Sequence, residues 1–419
     1  MRVRRILLVS SVMALMLAFL VQCPQVSAQF DPAPGEKAAQ APAKDTPAPG
    51  EEGQPADKPA AEQEKPAEEE APAEEALEPA PANFDFETEE LGPYWFNTAQ
   101  DGAMTITREA ANIREGQGAL EFTYTPSEGA FALIGATPIK PEAQPRSLKF
   151  SFKTDEVSAI LYGVNEQDGS SYQGYCYSPG GAWEDVLVDL GELMLSQDTE
   201  DENGHLDPDQ INTVIVADLC NLPGELGRAL GIKRGTQHMW LDNVKLTVQP
   251  APKRSSQAAD GTTVVDDFTA NLVSALPVGA PEMTIVPGAR PGDRALKVGY
   301  RLGGHRWVGF VRGVSYLDLS HSNEFCLSLI AAQEARLVAV LEERDGSKYE
   351  TNVALDPADG WHVVALPIAD FTLDPKTQDE NAQLDPDQIR VVILVVDTFN
   401  ASVDEQGQGS YTVSKLYFR

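Results

Sequence analysis

The chain has 419 residues, with 64 acidic against 32 basic side chains and a formal net charge of −32. That balance argues against nucleic acid, which needs basic surface, and against docking on an anionic membrane. Apolar residues make up 42%, enough for real cores, whereas four cysteines are too few for a disulfide scaffold.

Residues 1–28 have the pattern of a signal peptide. Arg2, Arg4 and Arg5 precede an apolar run from Ile6 to Leu20, and Val26-Ser27-Ala28 supplies a small-x-small cleavage site. The run is short for a bilayer span. Export to the periplasm or outside a bacterial cell is expected, with a mature chain starting near Gln29 and no membrane span after cleavage. An uncleaved anchor and a lipoprotein at Cys23 are rivals, and Gln22 is large for the second.

Residues 29–82 form an acidic tract rich in Pro, Ala and Glu. It holds 11 of the 30 prolines, 14 acids, 4 bases and one aromatic, Phe30. Such a segment cannot bury enough apolar surface to offset its ordering entropy. A disordered linker is expected, acting as a stiff spacer or as a solubilising tail.

An internal repeat organises the rest. Leu206-Asp207-Pro208-Asp209-Gln210-Ile211 recurs as Leu384-Asp385-Pro386-Asp387-Gln388-Ile389. Trp183 and Trp361, Asp168-Gly169-Ser170 and Asp345-Gly346-Ser347, Ala119-Leu120 and Ala295-Leu296, and Asp85-Phe86 and Asp267-Phe268 recur in the same order. Two modules are expected, at 83–248 and 263–419, joined by a Pro/Ser/Ala/Gly linker at 249–262. Within each module the apolar residues alternate in short runs, as in Leu148-Lys149-Phe150-Ser151-Phe152-Lys153, and no long helical period intervenes. The fold class is all-β, two tandem antiparallel sandwiches.

Asp168-Gly169 and Asp345-Gly346 sit between strand-like runs and predict two-residue type I′ hairpins. Counting outward from such a loop pairs Tyr162 with Tyr175 and Ile160 with Tyr177, and in the second copy Ala339 with Asn352 and Leu337 with Ala354. The Leu-Asp-Pro-Asp-Gln-Ile element predicts one helical turn, with Asp207 or Asp385 as N-cap, proline at the first position and glutamine closing a capping box.

No catalytic signature is present: no HExxH, GxSxG, Walker loop or GxGxxG, and five scattered histidines. Carboxylates beside the hairpins, Glu166 and Glu343, leave a glycosidase pair open as a minor reading. The acidic stretches 198–204 and 374–381 carry oxygens enough for Ca²⁺ but lack the EF-hand spacing, and solvated loops are expected there. Cys176, Cys220 and Cys326 remain after cleavage, leaving a Cys176–Cys220 bridge or buried free thiols open.

These landmarks together resemble the galactose-binding-like jelly-roll sandwich, and in particular family 11 carbohydrate-binding modules and the related domain of complex-I intermediate-associated protein. The features that carry it are Asp85-Phe86-Glu87, Gly118-Ala119-Leu120, the strands flanking Asp168-Gly169, Trp183, Leu206–Ile211 and Leu241-Asp242-Asn243-Val244. The resemblance implies a structural Ca²⁺ in the first module on Asp85, Glu87 and Asp242. Thr269 and Ser414 replace two of these in the second copy. It also implies sugar binding on the concave sheet or loop tips. Tyr162, Tyr175 and Tyr177, with Gln173, would then share one face of the first hairpin as a stacking platform, the other reading being that the tyrosines are core. The expected function is an exported, non-catalytic, carbohydrate-binding protein with polysaccharide as partner. The alternative is an extracytoplasmic scaffold that binds envelope protein.

Overall fold

Each hairpin in the computed structural model is built on a three-residue loop. Glu166 N–H donates to the Ser170 carbonyl (3.0 Å) and Gly169 N–H to the Glu166 carbonyl (3.1 Å). Of the expected pair only the glycine has positive φ, 101° at Gly169 and 92° at Gly346. This is a type I turn closed by a glycine bulge, in place of the type I′ turn. The register therefore moves by one residue. Tyr175 lies opposite Leu161, and Tyr162 opposite Gly174. In the second copy Ala339 lies opposite Thr351, not Asn352. Because side chains alternate with period two, that single step turns Tyr162 to the other face of its sheet.

The structure describes residues 77–99, 101–126, 132–141, 143–219, 233 and 235–419. The signal segment, most of the acidic tract and Cys220 lie outside them. The last residues of that tract are paired: Ala80–Pro81 runs parallel to Ile139–Lys140.

Each module is an antiparallel sandwich of two sheets. In the first, one sheet of six strands is centred on Ser158–Glu166, flanked by Ser171–Ser178 and Ile211–Asp218. Its partner sheet is centred on Ser147–Thr154 and Gln237–Thr247. The second module repeats the arrangement: Ala335–Glu343 is flanked by Lys348–Leu355 and Ile389–Asp397, over a sheet built on Glu324–Ala331 and Gln408–Phe418. Each tryptophan landmark stands one residue before the strand that pairs at the sheet edge, Glu184–Asp189 and His362–Pro367. The repeat offset thus marks equivalent positions in space. Cys176 sits in the first sandwich core, and Val353 takes its place in the second.

The proline element forms one 3₁₀ turn, Pro386–Gln388, in the second module. Its cap differs from the expected box. The Asp385 side chain accepts no capping bond, and the Asp385 N–H donates to Glu343 Oε1. Asp207 N–H donates to Glu166 Oε1 in the same way.

Three apolar cores result. One fills the first sandwich, one fills the second, and a third lies between the sheet centred on Ser158–Glu166 and the sheet centred on Ala335–Glu343. Eight buried apolar residues of the first module, among them Leu161, Tyr175, Ile215 and Ala217, meet six of the second, including Val338, Val391 and Ile393. Each fully buried aliphatic chain of this size is worth about 1.5–3 kcal/mol, so the modules are held together by a core and not by a tether. Glu78–Arg419 accordingly belongs to one compact unit.

Candidate functional site at the module junction

The sheet faces that meet are the ones bearing the expected platform. Gln173 is 1% exposed, Tyr175 7% and Tyr177 4%. Tyr175 belongs to the layer between the modules. Tyr177 reaches furthest: its N–H donates to the Val273 carbonyl (2.9 Å), its hydroxyl to the Pro281 carbonyl (3.4 Å), and its ring joins the core of the second module. Tyr162, turned inward by the register step, packs in the first sandwich against Phe150 (5.7 Å between centroids). The four residues do not form an open stacking surface. Burial pushes the phenols of Tyr162, Tyr175 and Tyr177 above their ordinary pKa.

The connecting segment is part of the junction. Arg254, 4% exposed, donates from Nε to Glu192 Oε2 (2.7 Å) and from its N–H to Glu192 Oε1 (2.9 Å). Its guanidinium also reaches the Tyr162 hydroxyl and, across the junction, Ser274 Oγ. Ser255 adds two donors to Glu192, and Arg312 approaches Asp266 at 3.6 Å. Burial works to raise the Glu192 pKa, but the Arg254 charge and hydrogen bonds outweigh it and hold the carboxyl below its usual value.

At one edge of this junction the surfaces part into a cleft of about 1020 Å³. Its walls carry Gln173, Tyr175 and His205 from the first module, and Ser315, Tyr316 and Arg344 from the second. Gln173 is nearly inaccessible, yet its Oε1 has no hydrogen-bond partner. A buried amide oxygen without a donor costs about 1–3 kcal/mol, the mark of a group awaiting a ligand or water. Tyr316 presents a half-buried ring whose hydroxyl accepts from Arg312 Nη2 (2.9 Å). Of the residues expected to bind, Gln173 and Tyr175 come to this cleft. Tyr316, Lys253, Arg344 and Arg390, which also line the cleft, carry no sequence signal of binding: the arginines stand beside turn and strand landmarks that read as structural.

The carboxylates expected to hold a cation are not gathered. Asp85 accepts from its own turn (Glu87 N–H, 3.2 Å), and Glu87 from Gln117 N–H (2.8 Å). Asp242 is fully buried and accepts from the N–H groups of Arg114 (3.0 Å) and Glu115 (2.9 Å) through Oδ2, leaving Oδ1 without a partner. The nearby carbonyls of Glu87, Thr88 and Gln117 are taken by the Arg108 guanidinium. The Arg108 guanidinium thus holds the carbonyl oxygens of this corner, while the buried Asp242 Oδ1 stays without a partner.

Two other acidic groups are close enough to hold a metal: Glu166, Asp168 and Asp201, and their repeat equivalents Glu343, Asp345 and Asp379, each set with ligand atoms within 4.8 Å of one another. Both are internally satisfied. Glu343 accepts from Ser347 Oγ (2.6 Å) and Asp385 N–H, Asp345 from Ser347, and Asp379 from the Tyr349 hydroxyl. The first module repeats every bond with Ser170, Asp207, Tyr172 and Asp201. This node explains why Asp-Gly-Ser and Leu-Asp-Pro-Asp-Gln-Ile recur together. It also engages Glu166 and Glu343, the carboxylates weighed as a glycosidase pair, in bonds within separate modules. The two described cysteines, Cys176 and Cys326, are buried free thiols.

No family model and no curated protein matches the chain. Among solved structures it is similar to a family 11 carbohydrate-binding module from Clostridium thermocellum in complex with a β-1,3-1,4-mixed-linked tetrasaccharide. That match has 14% identity and a TM-score of 0.31, over 41% of this chain and 97% of that one. It is also similar to the tandem CBM22-1–CBM22-2 domain of Paenibacillus barcinonensis Xyn10C, at 12% identity and a TM-score of 0.25, over 80% and 96%. TmCBM61 in complex with β-1,4-galactotriose is similar at 14% identity and a TM-score of 0.27, over 39% of this chain and 94% of that one.

Proposed function

We propose that this is an exported, non-catalytic polysaccharide-binding protein, and that the cleft between its modules, not the concave sheet of either one, holds the chain of sugars. The observation that carries this is a cleft of about 1020 Å³ with Gln173, Tyr175 and Tyr316 on its walls, the buried Gln173 Oε1 being without a partner. A sugar supplies what those groups lack. Its hydroxyls donate to a buried acceptor, while its C–H faces lie on aromatic rings.

The test is retardation of the purified chain in gels cast with a panel of polysaccharides. At least one should retard it, and Gln173→Ala should weaken that interaction about tenfold, the equivalent of one hydrogen bond to a buried acceptor. Thermal unfolding of the variant reports whether the fold is intact. No retardation by any polysaccharide, together with capture of a partner from envelope extract, would move the assignment to a scaffold. Reducing sugar released from the panel would make the protein a hydrolase.

A further inference from the structure

The cleft has a charge opposite to that of the chain. Acidic residues outnumber basic ones two to one overall, 64 against 32. Around the cleft the balance turns the other way: Arg146, Lys253, Arg344 and Arg390 line it, with His205, against one carboxylate, Asp189. Arg390 is neutralised by Glu342, and Asp189 Oδ1 accepts from Gly191 N–H (2.9 Å). Arg146, Lys253 and Arg344 are exposed, and none of them forms a salt bridge among the described residues.

These cations do not belong to the repeat. The N–H of Arg344 donates to the Gln388 carbonyl (2.9 Å) as the N–H of Gln167 does to Gln210 (3.0 Å), so Arg344 stands where the first module has glutamine. Arg146 likewise has Asn323 as its equivalent: their carbonyls accept from Leu190 N–H (3.0 Å) and Ile368 N–H (2.9 Å). Lys253 comes from the connecting segment. The fold does not require a cation at the first two places, since its other copy does without one. Three such charges nonetheless converge on one opening from three separate segments. Convergent cations facing low-dielectric walls raise the local concentration of anions, and an arginine fork matches carboxylate and sulfate oxygens.

We infer that the ligand of the junction cleft is an acidic polysaccharide, whose carboxylate or sulfate groups pair with Arg146, Lys253 and Arg344 while its rings lie against Tyr175 and Tyr316. This deepens the polysaccharide-binding reading and rests on it.

The test compares polygalacturonate, dextran sulfate and uncharged dextran by calorimetry on the purified full chain, at about 0.05 M and about 0.5 M salt. Binding to one or both acidic polymers, and at least tenfold weaker binding to dextran, is expected. Which acidic polymer binds separates carboxylate from sulfate. High salt should weaken the interaction about tenfold or more. The triple variant Arg146→Asn, Lys253→Gln, Arg344→Gln, which uses at two positions the residue of the equivalent site, should lose at least tenfold while unfolding at an unchanged temperature. Equal, salt-insensitive binding to dextran, or full binding by the triple variant, overturns the acidic ligand and leaves the polysaccharide reading standing. If none of the three binds but a neutral glucan of the gel panel does, the acidic ligand again falls alone. No binding to any polysaccharide removes both.

Discussion

Equivalent strands of the two modules have different surroundings. All eight residues of Ser171–Ser178 are buried, whereas only four of Lys348–Leu355 are. Tyr175 and Tyr177 lie under the second module, while their equivalents Asn352 and Ala354 are exposed. The inward-facing positions are buried in both copies, and the Glu–Ser–Tyr–Asp node is matched bond for bond. The duplicated part is therefore the sandwich and its hairpin corner, and the divergent part is the outer face. On that face Tyr175 and Tyr177 of the first module stand under the second module, among mostly aliphatic residues of both. What resembles a sugar platform in one module's sequence is half of an internal interface in the folded chain.

The sharpest way to break this comparison is at the buried ion pair that ties the connecting segment to the first module. Glu192→Ala leaves the Arg254 guanidinium buried without its carboxylate, and urea unfolding should show a loss of about 3–5 kcal/mol. The double variant Glu192→Leu, Arg254→Met should recover only part of it, because the unpaired charge is gone while the Arg254 and Ser255 N–H groups still lack their acceptor. If Glu192→Ala costs nothing, the junction is not a load-carrying contact in solution. The next largest effect comes from equivalent positions. Tyr175→Ala opens a cavity in the layer between the modules and should cost about 3 kcal/mol. Asn352→Ala, at the matching exposed position, should stay within about 0.5 kcal/mol of the parent. Similar costs at both would mean that the modules do not stay closed on each other.

The repeat made the two sandwiches legible, since Trp183 and Trp361 or the two Asp-Gly-Ser turns keep their spacing only if the same strands recur. The turn type was not legible. Asp-Gly serves a two-residue loop and a bulged three-residue loop equally, and hydrogen bonding around Glu166 selects the second. That one-residue difference decided the direction of Tyr162. The closed junction left one trace: Ile389–Asp397 is an unbroken apolar run apart from Arg390 and its terminal Asp397, the mark of a strand buried on both faces. The cleft cations had no trace at all, because Arg146, Lys253 and Arg344 are lone charges until the two modules meet.

The smallest expected effect sharpens what the copies share. Burial raises the pKa of Glu166 and of Glu343, against the opposing hydrogen bonds from Ser170 and Asp207 and from Ser347 and Asp385. A carboxyl whose folded pKa lies above its unfolded value contributes stability that is complete below the unfolded value, about 4.3, and is lost as pH rises through the folded one. Glutamine keeps an acceptor for the proline-turn N–H and does not titrate. The stability of the parent relative to Glu166→Gln, and separately to Glu343→Gln, should therefore be greatest in acid and decline as pH rises past that window. Glu192 has the opposite sign: its lowered pKa gives stability present above the unfolded value and lost as pH falls through the folded one. Urea midpoints measured across that range for Glu166→Gln, Glu343→Gln and Glu192→Gln would show two curves of one sign and one of the other. A Glu166 curve unlike that of Glu343 would mean that the node differs between the modules despite its matching bonds.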